Sequence, residues 1–174
     1  MNDILGKKLE ATRIKKVLPH INGSLLDVGC GLNQLKIAYG EGVGVDVFKW
    51  DNVDLVVEDT AKLPFDNHSF DTITIIAALN HIPNREEVIK ECYRLLKPDG
   101  TMIITMIPPI VSTIWHVLRK PWDVDQSERG MKEGEVYGLT KQQIVKLFNN
   151  QKFKLSHDEG FMMNVNRLYI FKKI

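Results

Sequence analysis

The chain has 174 residues, 44% of them hydrophobic, and a formal net charge of +1. That is enough for one α/β domain with a real core and too little for two, and the near-neutral charge leaves no electrostatic footprint for nucleic acid. Cys30 and Cys92 make no disulfide framework and no apolar run has the length of a signal or membrane span, which points to a reducing, cytoplasmic setting.

Asp3 to Leu18 sets Ile4, Leu5, Leu9, Ile14, Val17 and Leu18 among basic residues, the pattern of an amphipathic helix that Pro19 closes. Leu25 to Val28 follows as an apolar run suited to a strand buried on both faces. It leads into Gly29-Cys30-Gly31, a turn in which a ligand can approach backbone with no Cβ in the way. Leu32 to Tyr39 leaves room for about two turns of helix. Gly42 to Asp46 is a second short strand, ending in a carboxylate about 17 residues beyond Gly29, where a doubly wound fold sets an acid against a ribose. The plainer reading of Asp46 is a strand-end cap.

Almost no chain separates Asp46 from a third strand, Val53 to Val57, so no crossover helix fits there and the flank of the sheet should be thinly covered. Such a flank suits a homodimer face and is equally compatible with a monomer. Phe70 to Ala78 has the β-branched density of a central strand. Asn84 to Leu96 reads as a covering helix, with Asn84 as N-cap and Val88, Ile89, Cys92, Leu95 and Leu96 on one stripe. Lys97 to Gly100 is a turn and Thr101 to Ile107 a fifth strand, broken by Pro108-Pro109. Ile110 to Arg119 reads as a short apolar helix, Pro121 to Tyr137 as irregular, and Thr140 as the cap of a helix running to Asn150. Lys152 to His157 and Asn166 to Lys172 form a closing antiparallel hairpin.

Five stretches in this order carry a resemblance: LLDVGCG at 25–31, GVGVD at 42–46, EDTAKLPFDNHSFD at 58–71, LNHIPN at 79–84 and RLLKPDGTMIIT at 94–105. Together they span residues 25–105, and the chain resembles the class I S-adenosylmethionine-dependent methyltransferases, in particular the small type 11 group. The resemblance implies a doubly wound, Rossmann-like, mostly parallel seven-stranded sheet of order 3-2-1-4-5-7-6, its last strand antiparallel, with helices on both faces. It also implies one domain over 1–174, with an N-terminal helix in 1–20 and an acceptor-side variable segment at 108–139.

For the site, the resemblance implies that Asp27 helps to hold the methionine ammonium of S-adenosylmethionine and that Gly29, Cys30 and Gly31 pass beneath its methionine and ribose. Asp46 takes the ribose hydroxyls, with Val47 beside it. Asp59 accepts from the adenine amine, the Thr60 backbone meets the ring, and the Ala77 backbone meets the ammonium. One position departs from the family, which usually has glycine where this chain has Asn33; asparagine tolerates left-handed backbone angles better than most residues.

A nicotinamide dehydrogenase is the nearest rival enzyme, but its G-x-G-x-x-G loop needs a third glycine where this chain has Gln34. A cofactor-binding, non-catalytic regulator or partner subunit is the other alternative. Two histidines are candidate general bases: His81, beside the expected sulfonium position, and His116, in the segment that would build the acceptor wall. Each has a plainer reading as a packing residue. None of the five histidines has metal-ligand spacing to another histidine or cysteine. Trp115, Trp122 and Tyr137 supply flat apolar surface for a small-molecule or lipid-like acceptor that the sequence does not identify, or for a lid packed on the domain. The run IPPIVSTIWHVLRKPW also has the composition of a short segment resting on a membrane surface.

Overall fold

The computed structural model describes residues 4–109, 136 and 138–174. Helix α1 (Ile4–Val17) continues into a 3-10 turn at Leu18–His20 and leads to β1 (Leu25–Val28), α2 (Gln34–Tyr39), β2 (Val43–Asp46) and β3 (Leu55–Val56). Then come β4 (Phe70–Ile76), a 3-10 turn at Leu79–His81, α3 (Arg85–Leu95) and β5 (Leu96–Met106). Helix α4 (Lys141–Asn150) and the hairpin β6 (Phe153–Phe161) and β7 (Asn166–Lys173) follow. The seven strands form one sheet of order β3-β2-β1-β4-β5-β7-β6, in which β7 runs antiparallel to both of its neighbours.

Strand alternation sorts the core into two layers. Leu26, Val28, Met102, Ile104, Tyr169 and Phe171 point to one face, under Val88, Ile89, Cys92 and Leu95 of α3 and Ile144 and Phe148 of α4. There Phe148 stacks on Phe171 with ring centroids 4.2 Å apart. Leu25, Ile103, Leu168 and Ile170 point the other way, under Val17 of α1 and Leu35 of α2. All four residues of β1 are buried, as a central parallel strand requires, and each fully buried Leu or Val contributes about 1.5 to 3 kcal/mol. The Arg13 side chain, also buried, fastens α1 to the start of β7 by donating from Nε to Asn166 Oδ1 at 3.0 Å.

Several boundaries differ from the sequence reading for identifiable reasons. Asn84 precedes α3 without capping it, because its amide donates to Asp59 Oδ1 at 3.0 Å instead. Leu96 leaves the helix and opens β5, pairing with Phe70. Thr140 caps α4 as expected, in a reciprocal capping box with Gln143. Strand β3 has only two residues, and Val47, Trp50 and Val56 are 44%, 38% and 47% exposed, so the flank is as thinly covered as the short crossover implies. Among the described residues no helix is long and apolar enough to cross a membrane. The expected helix at 110–119 and the irregular stretch at 121–137 lie outside the described residues, Val136 apart.

Candidate active site

The C-terminal ends of β1, β2 and β4 open on one crevice, at the point where chain order reverses on either side of β1. The glycine turn is drawn over β2, since the N–H groups of Gly29 and Cys30 both donate to the Val45 carbonyl, at 2.9 and 3.1 Å. Its two glycines have different reasons to be there. Gly29 has φ +70°, and a Cβ on it would lie 2.8 Å from that of Ala78, so it lets the turn close against the loop after β4. Gly31 has φ +53° and nothing within 4 Å of an added Cβ, so it presents bare backbone to open space.

Asp46 is 7% exposed and held by main-chain donors: Gly31 N–H to Oδ2 at 2.9 Å and Phe48 N–H to Oδ1 at 3.0 Å. Each oxygen keeps a second lone pair for a ligand hydroxyl. Val47 stands beside it as an exposed apolar ledge. Asp27, on the α1 side of β1, is 3% exposed and accepts from Thr74 Oγ1 at 2.6 Å. Burial raises its pKa to about 7, against the Thr74 hydrogen bond and with a further push from the charge of Asp46. Burial also pushes the half-buried Cys30 thiol up, and Asp27, Asp46 and Asp54 add to that shift. A thiol shifted upward stays protonated near neutrality.

Asp59 and Thr60 follow β3. The Asp59 Oδ1 accepts from Ala61 N–H at 2.8 Å and from Asn84, and these two bonds lower its pKa. Ala77, just past β4, has φ +53°, a left-handed conformation that costs a non-glycine residue roughly 1 to 2 kcal/mol. Its N–H donates to both the carbonyl and the hydroxyl of Thr105, at 3.2 and 3.1 Å, which holds the strained peptide in place. His81 is exposed at the end of the Leu79–His81 turn, which Arg85 pins by donating to the carbonyls of Leu79 and Asn80 at 3.1 and 3.3 Å. His116, with Trp115, Trp122 and Tyr137, lies outside the described residues.

Asn33 takes the left-handed angles expected of it, φ 59° and ψ 27°, and is fully buried. Its side chain does more than a glycine could: Nδ2 donates to the Asn52 carbonyl at 2.7 Å and to Asp54 Oδ2 at 2.8 Å. Sequence reasoning missed Asp54, Thr74 and Thr105. The alternation in Phe70–Ile76, which turns Thr72 and Thr74 to one face, could have found Thr74; Asp54 and Thr105 carry no comparable signal.

Among the described residues no group of three or more His, Cys, Asp and Glu is placed to hold a metal ion. The crevice instead combines buried carboxylates, an open glycine backbone and an apolar ledge, an arrangement that favours a cationic ligand bearing hydroxyl groups. A pyrophosphate would meet those carboxylates with like charge.

Residues 26–104 match the family model described as a methyltransferase domain. The chain is 33% identical over 107 residues to a ubiquinone/menaquinone biosynthesis C-methyltransferase of Hahella chejuensis, a match covering 59% of this chain and 39% of that one. It is 31% identical over 126 residues to a demethylmenaquinone methyltransferase of Staphylococcus epidermidis, covering 59% and 52%. The chain thus spans about half the length of these relatives or less. In fold it is similar to an S-adenosylmethionine-dependent methyltransferase from Mesorhizobium loti, with a TM-score of 0.69, 16% identity and 94% and 97% of the two chains covered.

Proposed function

We propose that the chain, whose residues 26–104 match a methyltransferase-domain model, is a class I, S-adenosylmethionine-dependent methyltransferase of the type 11 group that transfers a methyl group from that cofactor to a small-molecule or lipid-like acceptor. The observation that carries this reading is the pair Asp27 and Asp46 at neighbouring strand ends, on either side of a glycine turn open at Gly31. When bound, the cofactor supplies an activated methyl on a sulfonium, so orientation and exclusion of water can account for much of the acceleration.

Asp46, already oriented by two backbone donors, takes the ribose hydroxyls. Asp27 would face the ammonium, giving its proton up to solvent when that cation binds. The turn at Gly29, Cys30 and Gly31 supports the methionine and ribose, Val47 and the Asp59-Thr60 pair flank the adenine, and the Ala77 peptide, fixed by Thr105, meets the ammonium. His81 receives the acceptor's proton at its imidazole. The sequence assigns the acceptor side, and any lipid or membrane contact, to 108–139, with His116 as its candidate base.

An aromatic or isoprenoid acceptor draws support from relatives named for quinone C-methylation. The free thiols Cys30 and Cys92 suit a reducing, cytoplasmic setting. Isothermal titration with S-adenosylmethionine, its demethylated product and NAD is the first test, with saturable binding of the first two and none of the third expected. Incubation with labelled cofactor and a panel of demethylated quinols, phenols, amines and isoprenoid lipids follows, with one added methyl as the readout. Tight cofactor binding without transfer to any of them would favour a non-catalytic partner subunit, and NAD binding alone would overturn the reading.

A further inference from the structure

The connection from β2 to β3, Val47 to Asp54, contains no helix, yet it ends in a carboxylate that ties three other elements together. Asp54 Oδ2 accepts from the Gly44 N–H of β2 and from Asn33 Nδ2, both at 2.8 Å, and Oδ1 from Lys36 Nζ of α2 at 3.0 Å. Against burial, which would raise it, the bonds from Gly44, Asn33 and Lys36 hold its pKa below the ordinary carboxylate value, so it is ionised wherever the protein is folded near neutrality.

Of these three partners, Asn33 is the one joined to the site. Its N–H donates to the Cys30 carbonyl at 2.9 Å, which closes the glycine turn, and one residue beyond Cys30 the Gly31 N–H reaches Asp46. This path depends on left-handed angles at Asn33, which asparagine adopts more readily than most residues but less freely than glycine. Asp54 and the Asn52 carbonyl are what its amide grips.

We propose that Asp54 is a positioning residue of the cofactor site: through Asn33 it holds the glycine turn in the shape that presents Gly31 to Asp46. The inference rests on the reading of that turn as the seat of S-adenosylmethionine. A tie of this kind answers the missing crossover helix, since the short β2–β3 connection then does for the turn what a covering helix would do elsewhere.

The test is a double-mutant cycle, because glycine adopts left-handed angles without help and should free the turn from Asp54. Asp54→Ala should weaken S-adenosylmethionine binding by about tenfold or more in the native background and by less than about twofold in an Asn33→Gly background. Unfolding by urea should still show the lost Gly44 and Lys36 contacts in both backgrounds, which separates positioning from general stability. Should Asp54→Ala fail to fold, Asp54→Asn, which keeps the volume, enters the same cycle.

Hydrogen exchange at the Gly31 amide, measured without cofactor, should quicken in Asp54→Ala and return in the double variant. Equal affinity losses in both backgrounds, or none in either, would overturn the proposal. If the native protein binds no S-adenosylmethionine while the Gly31 exchange pattern appears as described, the functional reading fails and the Asp54 tie to the turn stands.

Discussion

Asn33 and Gly44 share one volume: a Cβ added to Gly44 would lie 2.1 Å from Asn33 Oδ1 and 2.5 Å from its Cγ. Asparagine in the turn is therefore matched by glycine in β2, two residues whose separation in sequence gives no hint of contact. Gly44→Ala should destabilise the fold by about 1 to 3 kcal/mol through overpacking, and Asn33→Gly in the same chain should restore most of that loss. Urea midpoints of the four proteins check it; failure of the second substitution to rescue the first would show that the clash is elsewhere.

Asp46→Ala removes a carboxylate that two backbone N–H groups orient toward the crevice. A charge-assisted hydrogen bond is worth about 1.5 to 3 kcal/mol, so affinity for S-adenosylmethionine should fall about tenfold to a hundredfold or more. Calorimetry on a variant with an unchanged circular dichroism spectrum decides it, and an unaltered Kd would remove Asp46 from the ribose.

Asp27 links both stability and binding to pH. Its pKa of about 7 in the folded chain exceeds the ordinary value of 3.8, so between those limits the native state holds more protons than the unfolded one. Stability from this group is therefore greatest at low pH and falls as pH rises through that window. Asp27→Asn should abolish the slope, read as the difference between wild-type and variant urea midpoints at pH 5 and pH 7.5. Cofactor affinity should run the other way in the native protein, rising toward neutrality with proton release on binding, seen as a dependence of the calorimetric enthalpy on buffer ionisation.

His81→Ala distinguishes chemistry from packing at an exposed turn residue. Acting as a general base, His81 should contribute about a hundredfold to ten-thousandfold to turnover, so the variant should keep its Kd for S-adenosylmethionine while kcat falls by that range. The acidic limb of the kcat profile should vanish with it. Turnover that merely follows the folded fraction would leave the imidazole without a chemical role.

Much of the fold was legible because it rests on local signals. Leu25–Val28 had to be buried on both faces, Gly29 and Gly31 had to turn, and Thr140 had to cap α4. Asn33 could be assigned left-handed angles from residue type and position alone, and the chain has them. Asp27 and Asp46 were legible as strand-end acids for the same reason: each follows directly from where its own strand stops.

Side-chain contacts between distant stretches were not legible, since they depend on how strands are ordered and staggered in space. Placing β3 beside β2 brings Asp54 to Gly44, Asn33 and Lys36, and pairing β4 with β5 sets Thr105 against the strained Ala77 peptide. Asn84 had every local reason to cap its helix, yet it reaches Asp59 across the crevice. Sequence by itself determined the strands, the glycine turn and the acids at the strand ends; tertiary structure alone decided which side chains hold that turn in place, because a hydrogen bond depends on distance in space and its partners here, Asn33 and Asp54, lie 21 residues apart along the chain.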